Sequence, residues 1–316
     1  MITSRFSTAA TAADVAESID LSGQTAIITG GASGIGRETA RVLATAGADV
    51  TLAVRNLDQG LAAAAELNAA ATGHVSAALL DLADPASIAA FARRVTEPVN
   101  ILINNAGVMA VPTRTTTPAG LEIQLATNHL GHFLLSRRLH GALLAAEQAR
   151  VVSLSSSAHH FSGINFDDIN FERRPYDPWA AYGQSKTANA LFAVEAQRRW
   201  RPDGITVNAV MPGNIETNLQ RFVPDEVRAG WGEMEKSGVI TMKTIEQGAA
   251  TTVWAATAPE LTGIGGLYLE NCREASRLAG DDPSLDGVHE FAVDPDAAVR
   301  LWELSESLDA RVSSPQ

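Results

Sequence analysis

The stretch Thr29-Gly30-Gly31-Ala32-Ser33-Gly34-Ile35-Gly36 decides the fold. It follows Ala26-Ile27-Ile28, a short apolar run that reads as a buried strand, and it leads into Arg37 to Ala46, where apolar residues recur at helical spacing. Strand, glycine turn and helix therefore succeed one another. Glycines let the backbone turn sharply and bring its N–H groups close to a phosphate, and the helix N-terminus adds unpaired donors and the positive end of its dipole. This is a dinucleotide cradle in outline, with Gly30, Gly34 and Gly36 spaced T-G-x-x-x-G-x-G rather than G-x-G-x-x-G. The bland alternative is a tight turn in an α/β protein that binds no nucleotide.

With 316 residues, 46% hydrophobic and 19% charged, the chain is long enough for one large α/β domain. Its formal charge of −12 argues against a general nucleic-acid or anionic-membrane surface, while leaving room for a local basic pocket. The single cysteine, Cys272, excludes an internal disulfide and a multi-cysteine metal site and suits a reducing cytosol, so a cytoplasmic location is expected. No run of about 20 apolar residues is free of charge, so no membrane span is expected. Residues 1–20 read as an N-terminal extension: Asp14 and Glu17 interrupt any signal-like apolar core, and Val15 and Ile19 share one face that would pack on the main domain. Residues 21–316 then form a single domain.

Further along, Asp49 to Val54 and Val75 to Leu80 read as strands, with the Ala-rich Leu57 to Ala71 as a helix between them. Asp84 and Pro85 start another helix as cap and first turn. Val99 to Ile103, Arg150 to Leu154 and Ile205 to Met211 are further strands, and long helices are expected from about Pro118 to Ala146 and from Trp179 to Arg199. Strands and helices alternating in this way imply a doubly wound parallel sheet covered on both faces, with ligands bound beyond the carboxyl ends of the strands. Gly30, Arg55, Asp81, Asn105, Ser156 and Gly213 each follow a strand and so fall on that edge.

A site preferring NAD usually has a carboxylate at the end of the second strand, about 20 residues after the first glycine. Here that end reads Ala53-Val54-Arg55-Asn56, and no acid stands there. Arg55 could instead grip a 2′-phosphate, assisted by Ser33 or Arg37 from the glycine turn, which makes NADP(H) the preferred cofactor and NAD(H) the lesser alternative. In Tyr182-Gly183-Gln184-Ser185-Lys186, the tyrosine and lysine are four residues apart on one helix face. A neighbouring ammonium and a bound cationic nicotinamide would lower the phenol pKa from about 10 toward working pH, so that Tyr182 could exchange a proton with a substrate oxygen while hydride moves.

Taken together, Thr29 to Gly36, Asp81, Asn104 to Gly107, Asn128, Ser156, Tyr182 to Lys186, Pro212-Gly213 and Thr217 occur in the order seen in the short-chain dehydrogenase/reductase superfamily, which the chain resembles over roughly residues 20 to 270. Asn128-His129-Leu130-Gly131-His132-Phe133, the run Val151 to His160 and Leu301-Trp302-Glu303 are similar to the retinol-dehydrogenase and WW-domain-oxidoreductase branch. The resemblance implies a Rossmann fold and assigns roles. Tyr182 would be the general acid/base, Lys186 would depress its pKa and hold the nicotinamide ribose, Ser156 would bond the reacting oxygen, and Asn128 would anchor a water relay behind Lys186. Ser156 is chosen over Ser155 and Ser157 by its place in the motif. Asp81 and Leu82 would meet the adenine, Asn105, Ala106 and Gly107 would line the cofactor, and Thr217 would bind the carboxamide. Gly30, Ser33, Gly34, Ile35, Gly36, Arg37, Arg55, Asn56, Pro212 and Gly213 complete the cofactor set, and no metal is implied. Retinol dehydrogenases of this branch commonly carry a membrane-anchoring N-terminus that this sequence lacks, so retinoid chemistry is not implied.

Other readings weigh against this one. A metal site at His129, His132, His159 and His160 has no cysteine or carboxylate partner in the same motifs. A dinucleotide sensor without catalysis would be expected to have lost Tyr182 or Lys186, and an epimerase or dehydratase of the extended relatives would carry a larger C-terminal part. The expected activity is thus interconversion of a carbonyl and an alcohol. Substrate loops are placed at about 161–179 and 214–245, and Phe222, Val223, Trp231, Met234 and Met242 of the second suggest a small hydrophobic ketone, aldehyde or alcohol. Relatives often pair through the helices bearing Asn128 and Tyr182, so a homo-oligomer is a further expectation.

Overall fold

All six runs read as strands lie side by side in the computed structural model, which describes residues 1–280, 282, 284 and 286–313. The last three positions assigned to the domain from sequence lie outside the described residues. The strands are β1 (Thr25–Thr29), β2 (Asp49–Val54), β3 (Val75–Leu79), β4 (Ile101–Asn104), β5 (Arg150–Leu154) and β6 (Thr206–Met211). Two short pieces, β7 (Asn214–Ile215) and β8 (Met242–Lys243), pair with each other beyond β6. Sequence reading missed β9 (Tyr268–Glu270) and β10 (Arg273–Glu274), which extend the main sheet, and β11 (Arg277–Leu278) and β12 (Val288–His289), which form a separate pair. The main sheet runs β10-β9-β6-β5-β4-β1-β2-β3, parallel except for the edge strand β10, which runs antiparallel to β9. Chain order reverses at β1, which lies between β2 and β4, and the crevice at such a switch point is where a ligand fits an open α/β sheet.

Successive strand residues face opposite layers, because a strand alternates sides. Ile28, Ile101, Ile103, Val152 and Val210 belong to the core shared with α1 (Ala12–Ala16), α2 (Gly34–Thr45), α3 (Leu57–Asn68) and, later in the chain, the helix Ile245–Thr257. Ile27, Leu102, Val151 and Val207 face the other layer, with Phe91 of α4 (Pro85–Arg94) and Phe133, Phe192 and Trp200 beyond it. The N-terminal segment is part of the first layer. Thr11 and Asp14 close a capping box on α1, Val15 is buried, and Thr3 bridges to Arg273 of β10.

The single helix expected from about Pro118 to Ala146 is instead broken into pieces. Gly120 adopts φ +81°, a left-handed turn that suits glycine, and the buried Glu122 carboxylate caps α5 (Ile123–Leu125) by accepting the N–H groups of Gln124 at 3.0 Å and Leu125 at 2.8 Å. A π turn at Ala126–Leu130 carries Asn128 and is followed by α6 (Gly131–Arg138) and α7 (His140–Ala145). The helix bearing Tyr182 is α8 (Pro178–Trp200), with Asp177 accepting the Ala180 N–H as its cap. After α9 (Asp225–Lys236) and α10 (Ile245–Thr257) comes α11 (Pro295–Ser313).

Almost every residue of α8 is buried, because the sheet covers one side and α11 another. Trp302 of α11 stacks on Phe192 with centroids 6.1 Å apart and meets Phe133 and Trp200 edge-on at 4.9 and 5.7 Å. Ser305 hydrogen-bonds His129, and Arg137 pairs with Glu306 and Asp309. α11 thus packs on both α8 and the segment that carries Asn128.

Candidate active site

Tyr182 and Lys186 point inward from the first turns of α8 and are 3% and 4% exposed. The Lys186 ammonium donates to the Leu154 carbonyl at the end of β5 (2.9 Å) and stands 5.6 Å from the Tyr182 ring centroid. Of the three serines after β5, Ser155 donates to the Lys186 carbonyl at 2.8 Å and is spent on anchoring α8, whereas the Ser156 hydroxyl reaches the Tyr182 phenol. Burial moves both titrating groups toward neutrality: Tyr182 is pushed up to about 12, with the Ser156 hydrogen bond opposing the rise, and Lys186 is pulled down to about 8. Desolvation is the largest influence on the phenol, and sequence spacing does not reveal it.

Asn128 is tied into the site from several sides. Its carboxamide closes on Val108 from both sides, donating to the Val108 carbonyl at 2.9 Å and accepting its N–H at 2.8 Å, and also donates to the Ser185 hydroxyl at 2.9 Å. Its main-chain carbonyl accepts from His132 Nδ1 at 2.8 Å. Thr29 Oγ1 then donates to His132 Nε2 at 2.8 Å while accepting the N–H groups of Asn105 and Ala106, both at 2.9 Å. One buried imidazole thereby joins the glycine turn, the Asn104–Gly107 segment and the π turn. That link was missed in the sequence; the signal available was His132 standing four residues after Asn128.

A family model described as short chain dehydrogenase matches residues 24–228. The chain belongs to the short-chain dehydrogenase family. This short-chain dehydrogenase is 52% identical over 289 residues to an oxidoreductase of Streptomyces lividans, covering 90% of this chain and 97% of that one. It is 39% identical over 293 residues to human retinol dehydrogenase 13, covering 90% and 84%, so the retinol-dehydrogenase likeness read from the sequence holds. Its fold matches the crystal structure of a Beutenbergia cavernae protein described as an NAD(P)-dependent gluconate 5-dehydrogenase with NADP bound at low occupancy. That match has TM-score 0.64 and 28% identity, covering 79% of this chain and 96% of the other.

The glycine turn of this short-chain dehydrogenase requires its glycines. Gly30 and Gly34 take φ +67° and +54°. A Cβ on Gly36 would lie 2.5 Å from Asn105 Nδ2 and 2.7 Å from the Gly30 carbonyl, so only glycine fits. Ser33 stands at the N-cap of α2 in extended conformation without capping it, which leaves the first N–H donors of that helix uncovered. A Cβ on Gly107 would lie 3.8 Å from Lys186 Nζ, and one on Gly34 would lie 3.4 Å from the Thr217 methyl, so Gly107 sits beside Lys186 and Gly34 beside Thr217. Pro212 and Gly213, the latter at φ +108°, follow the carboxyl end of β6. Ile35 is half-buried, packing toward Gly248 of α10.

Other members of the set are partly engaged elsewhere. Asn56 caps α3 through Gln59, and Arg37 pairs with Glu66 at the surface. Asp81 spends one carboxylate oxygen on the Ala83 N–H, and Leu82 is buried against α6. Thr217 Oγ1 accepts the Leu219 N–H as a cap. Arg55 is exposed at the end of β2. The four histidines considered for a metal have other partners: His129 bonds Ser305, His132 bonds Thr29 and Asn128, His159 bonds Ser156, and His160 bonds the Gly287 carbonyl at 3.4 Å.

Proposed function

We propose that the protein is an NADP(H)-dependent oxidoreductase interconverting an apolar ketone or aldehyde with its alcohol. The observation that carries this reading is the convergence of Tyr182, Ser156 and Lys186 at one end of a glycine-lined crevice. Gly30 to Arg37, Asp81, Leu82, Asn105 to Gly107, Pro212, Gly213 and Thr217 would hold the dinucleotide, which when bound supplies the hydride donor or acceptor. Buried and neutral, the Tyr182 phenol holds the proton that the carbonyl oxygen needs as it becomes an alcohol oxygen, and Ser156 supplies a second hydrogen bond to that oxygen. Lys186 keeps positive charge beside Tyr182; with the cation of the oxidised nicotinamide it would favour the phenolate required in the reverse direction. Asn128 fixes the backbone beside Gly107.

Support for the phosphorylated cofactor comes from charge. Arg221, one turn beyond Thr217, is close enough to Arg55 to be repelled by it, an arrangement that a 2′-phosphate between them would relieve. The apolar substrate is supported by Met109, Ala110, Tyr182 and Val223, packed with Trp179 and Trp231 from the two substrate loops at 161–179 and 214–245.

The test is NADPH-dependent turnover over a panel of aldehydes and ketones, with NADH in parallel. Tyr182→Phe is expected to lower kcat by about 10²- to 10⁴-fold with NADPH binding retained. Wild type that binds NADPH and reduces nothing would favour a dinucleotide sensor; turnover surviving in Tyr182→Phe would overturn the mechanism.

A further inference from the structure

The Ser156 hydroxyl faces Tyr182, and the carbonyl of the same residue points into side chains that the mechanism does not use. Three donors converge on that carbonyl oxygen: the His159 backbone N–H at 3.1 Å, His159 Nδ1 at 2.8 Å and the Tyr268 hydroxyl at 3.1 Å. The tautomer follows from the other ring nitrogen. His159 Nε2 faces the His289 backbone N–H at 3.3 Å, which can only donate, so Nε2 accepts and the ring proton sits on Nδ1, aimed at Ser156. Burial keeps this imidazole neutral, with a pKa of about 3. The rings of His160 (4.2 Å) and His289 (6.0 Å) close around it.

Ser156 needs such support. The last sheet bond of this stretch is Ser155 N–H to the Val210 carbonyl at 2.8 Å, and the turn Ser157–Phe161 begins two residues later. Between them Ser156 is extended, at φ −168° and ψ 156°, where the sheet ladder no longer fixes its peptide plane. A change in the backbone torsions of Ser156 would swing the hydroxyl away from Tyr182. Tyr268 reaches it from β9 and His159 from the turn, with His289 of β12 behind, so chain segments more than 100 residues apart meet on one carbonyl.

We propose that His159 and Tyr268 are positioning residues for the reaction, a clamp on the Ser156 carbonyl that sets the angle from which its hydroxyl meets Tyr182 and the substrate oxygen. This rests on the roles of Ser156 and Tyr182 proposed above.

Three variants test it: Tyr268→Phe, which removes one oxygen; His159→Leu, which removes the donor; and His159→Asn, whose side-chain N–H stands where Nδ1–H stood. Each is compared with wild type in kcat, NADPH KM and the pH dependence of kcat. Phenolate absorbance is titrated with NADP⁺ present, which is tractable because the chain has only 3 tyrosines. Tyr268→Phe and His159→Leu are expected to lower kcat by roughly tenfold to hundredfold, the scale of a misplaced reacting group, with NADPH KM little changed and the Tyr182 titration moved upward. His159→Asn is expected to restore most of kcat. Folded Tyr268→Phe and His159→Leu with wild-type kcat and pH profile would overturn the proposal, as would an Asn variant no better than Leu. Should His159→Leu fail to fold, Tyr268→Phe decides alone. Should wild type reduce no carbonyl, the proposed function fails, and the clamp is judged on the Tyr182 titration, where no movement in the variants would overturn it.

Discussion

Lys186 is a buried cation whose chemistry departs from its ordinary behaviour. With its pKa lowered from 10.5 to about 8, it carries its charge below that pH and loses it as pH rises through it. If Lys186 holds the cofactor ribose and supports the reacting phenol, NADPH affinity and kcat/KM should fall on an alkaline limb near pH 8, well below the value for an exposed lysine. A fluorescence titration of NADPH against pH checks this, and binding that stays flat to about pH 10 would remove Lys186 from that role. At this scale the sequence was partly legible. A tyrosine and a lysine four apart announce themselves by spacing alone, and T-G-x-x-x-G-x-G does so by its glycines. His132 did not, because Thr29 becomes its partner only when β1 and α6 are packed. Nor did Arg37 reveal its engagement with Glu66, which depends on how α2 and α3 lie together.

Among the elements, α6 is the one whose position the cofactor site feels most directly. Its first residue, Gly131, lies so close to the loop after β3 that a Cβ there would stand 2.3 Å from the Leu82 carbonyl oxygen and 2.8 Å from the Leu82 Cβ. Gly131→Ala must push the Asp81–Leu82 loop away, and overpacking of this kind costs about 1–3 kcal/mol. The expected outcome is a lower Tm together with weaker NADPH binding. Gly141→Ala in α7, which meets nothing within 4 Å, should change neither for the worse. Equal behaviour of the two variants would show that the loop is not held by α6. The six long strands were legible because they are mostly apolar runs, all but β3 rich in β-branched residues. The break in the helix from Pro118 onward was not: it comes from the buried carboxylate of Glu122, whose capping role depends on Asn170 and Tyr176 packing around it from a distant loop. Strands β9 to β12 are only two or three residues long, too short for periodicity to mark.

Across the whole molecule, burial of neutral imidazoles sets a limit on acid stability. His129, His132 and His159 have pKa values pulled from 6.5 to about 3, 4 and 3, chiefly by desolvation. Folded-state values below the unfolded ones mean that the unfolded chain binds more protons between pH 6.5 and about 4. Stability is therefore complete above that window and falls as pH drops through it. Three such groups give a slope of up to about 4 kcal/mol per pH unit in the steepest part. Urea midpoints measured from pH 7 to pH 4 should fall steeply, and His129→Gln should soften the fall; a pH-independent midpoint would mean that these rings are solvated. The 5 tryptophans, moreover, divide by position. Trp200, Trp254 and Trp302 are locked in the interior, whereas Trp179 and Trp231 are only half-buried and meet edge-on with centroids 6.0 Å apart at the apolar end of the crevice. The protein thus carries two sets of built-in fluorophores. Emission from the inner three reports whether the chain is folded, and quenching of the outer pair, by an entering substrate or by energy transfer to reduced nicotinamide, reports what is held in the crevice without any label having been attached.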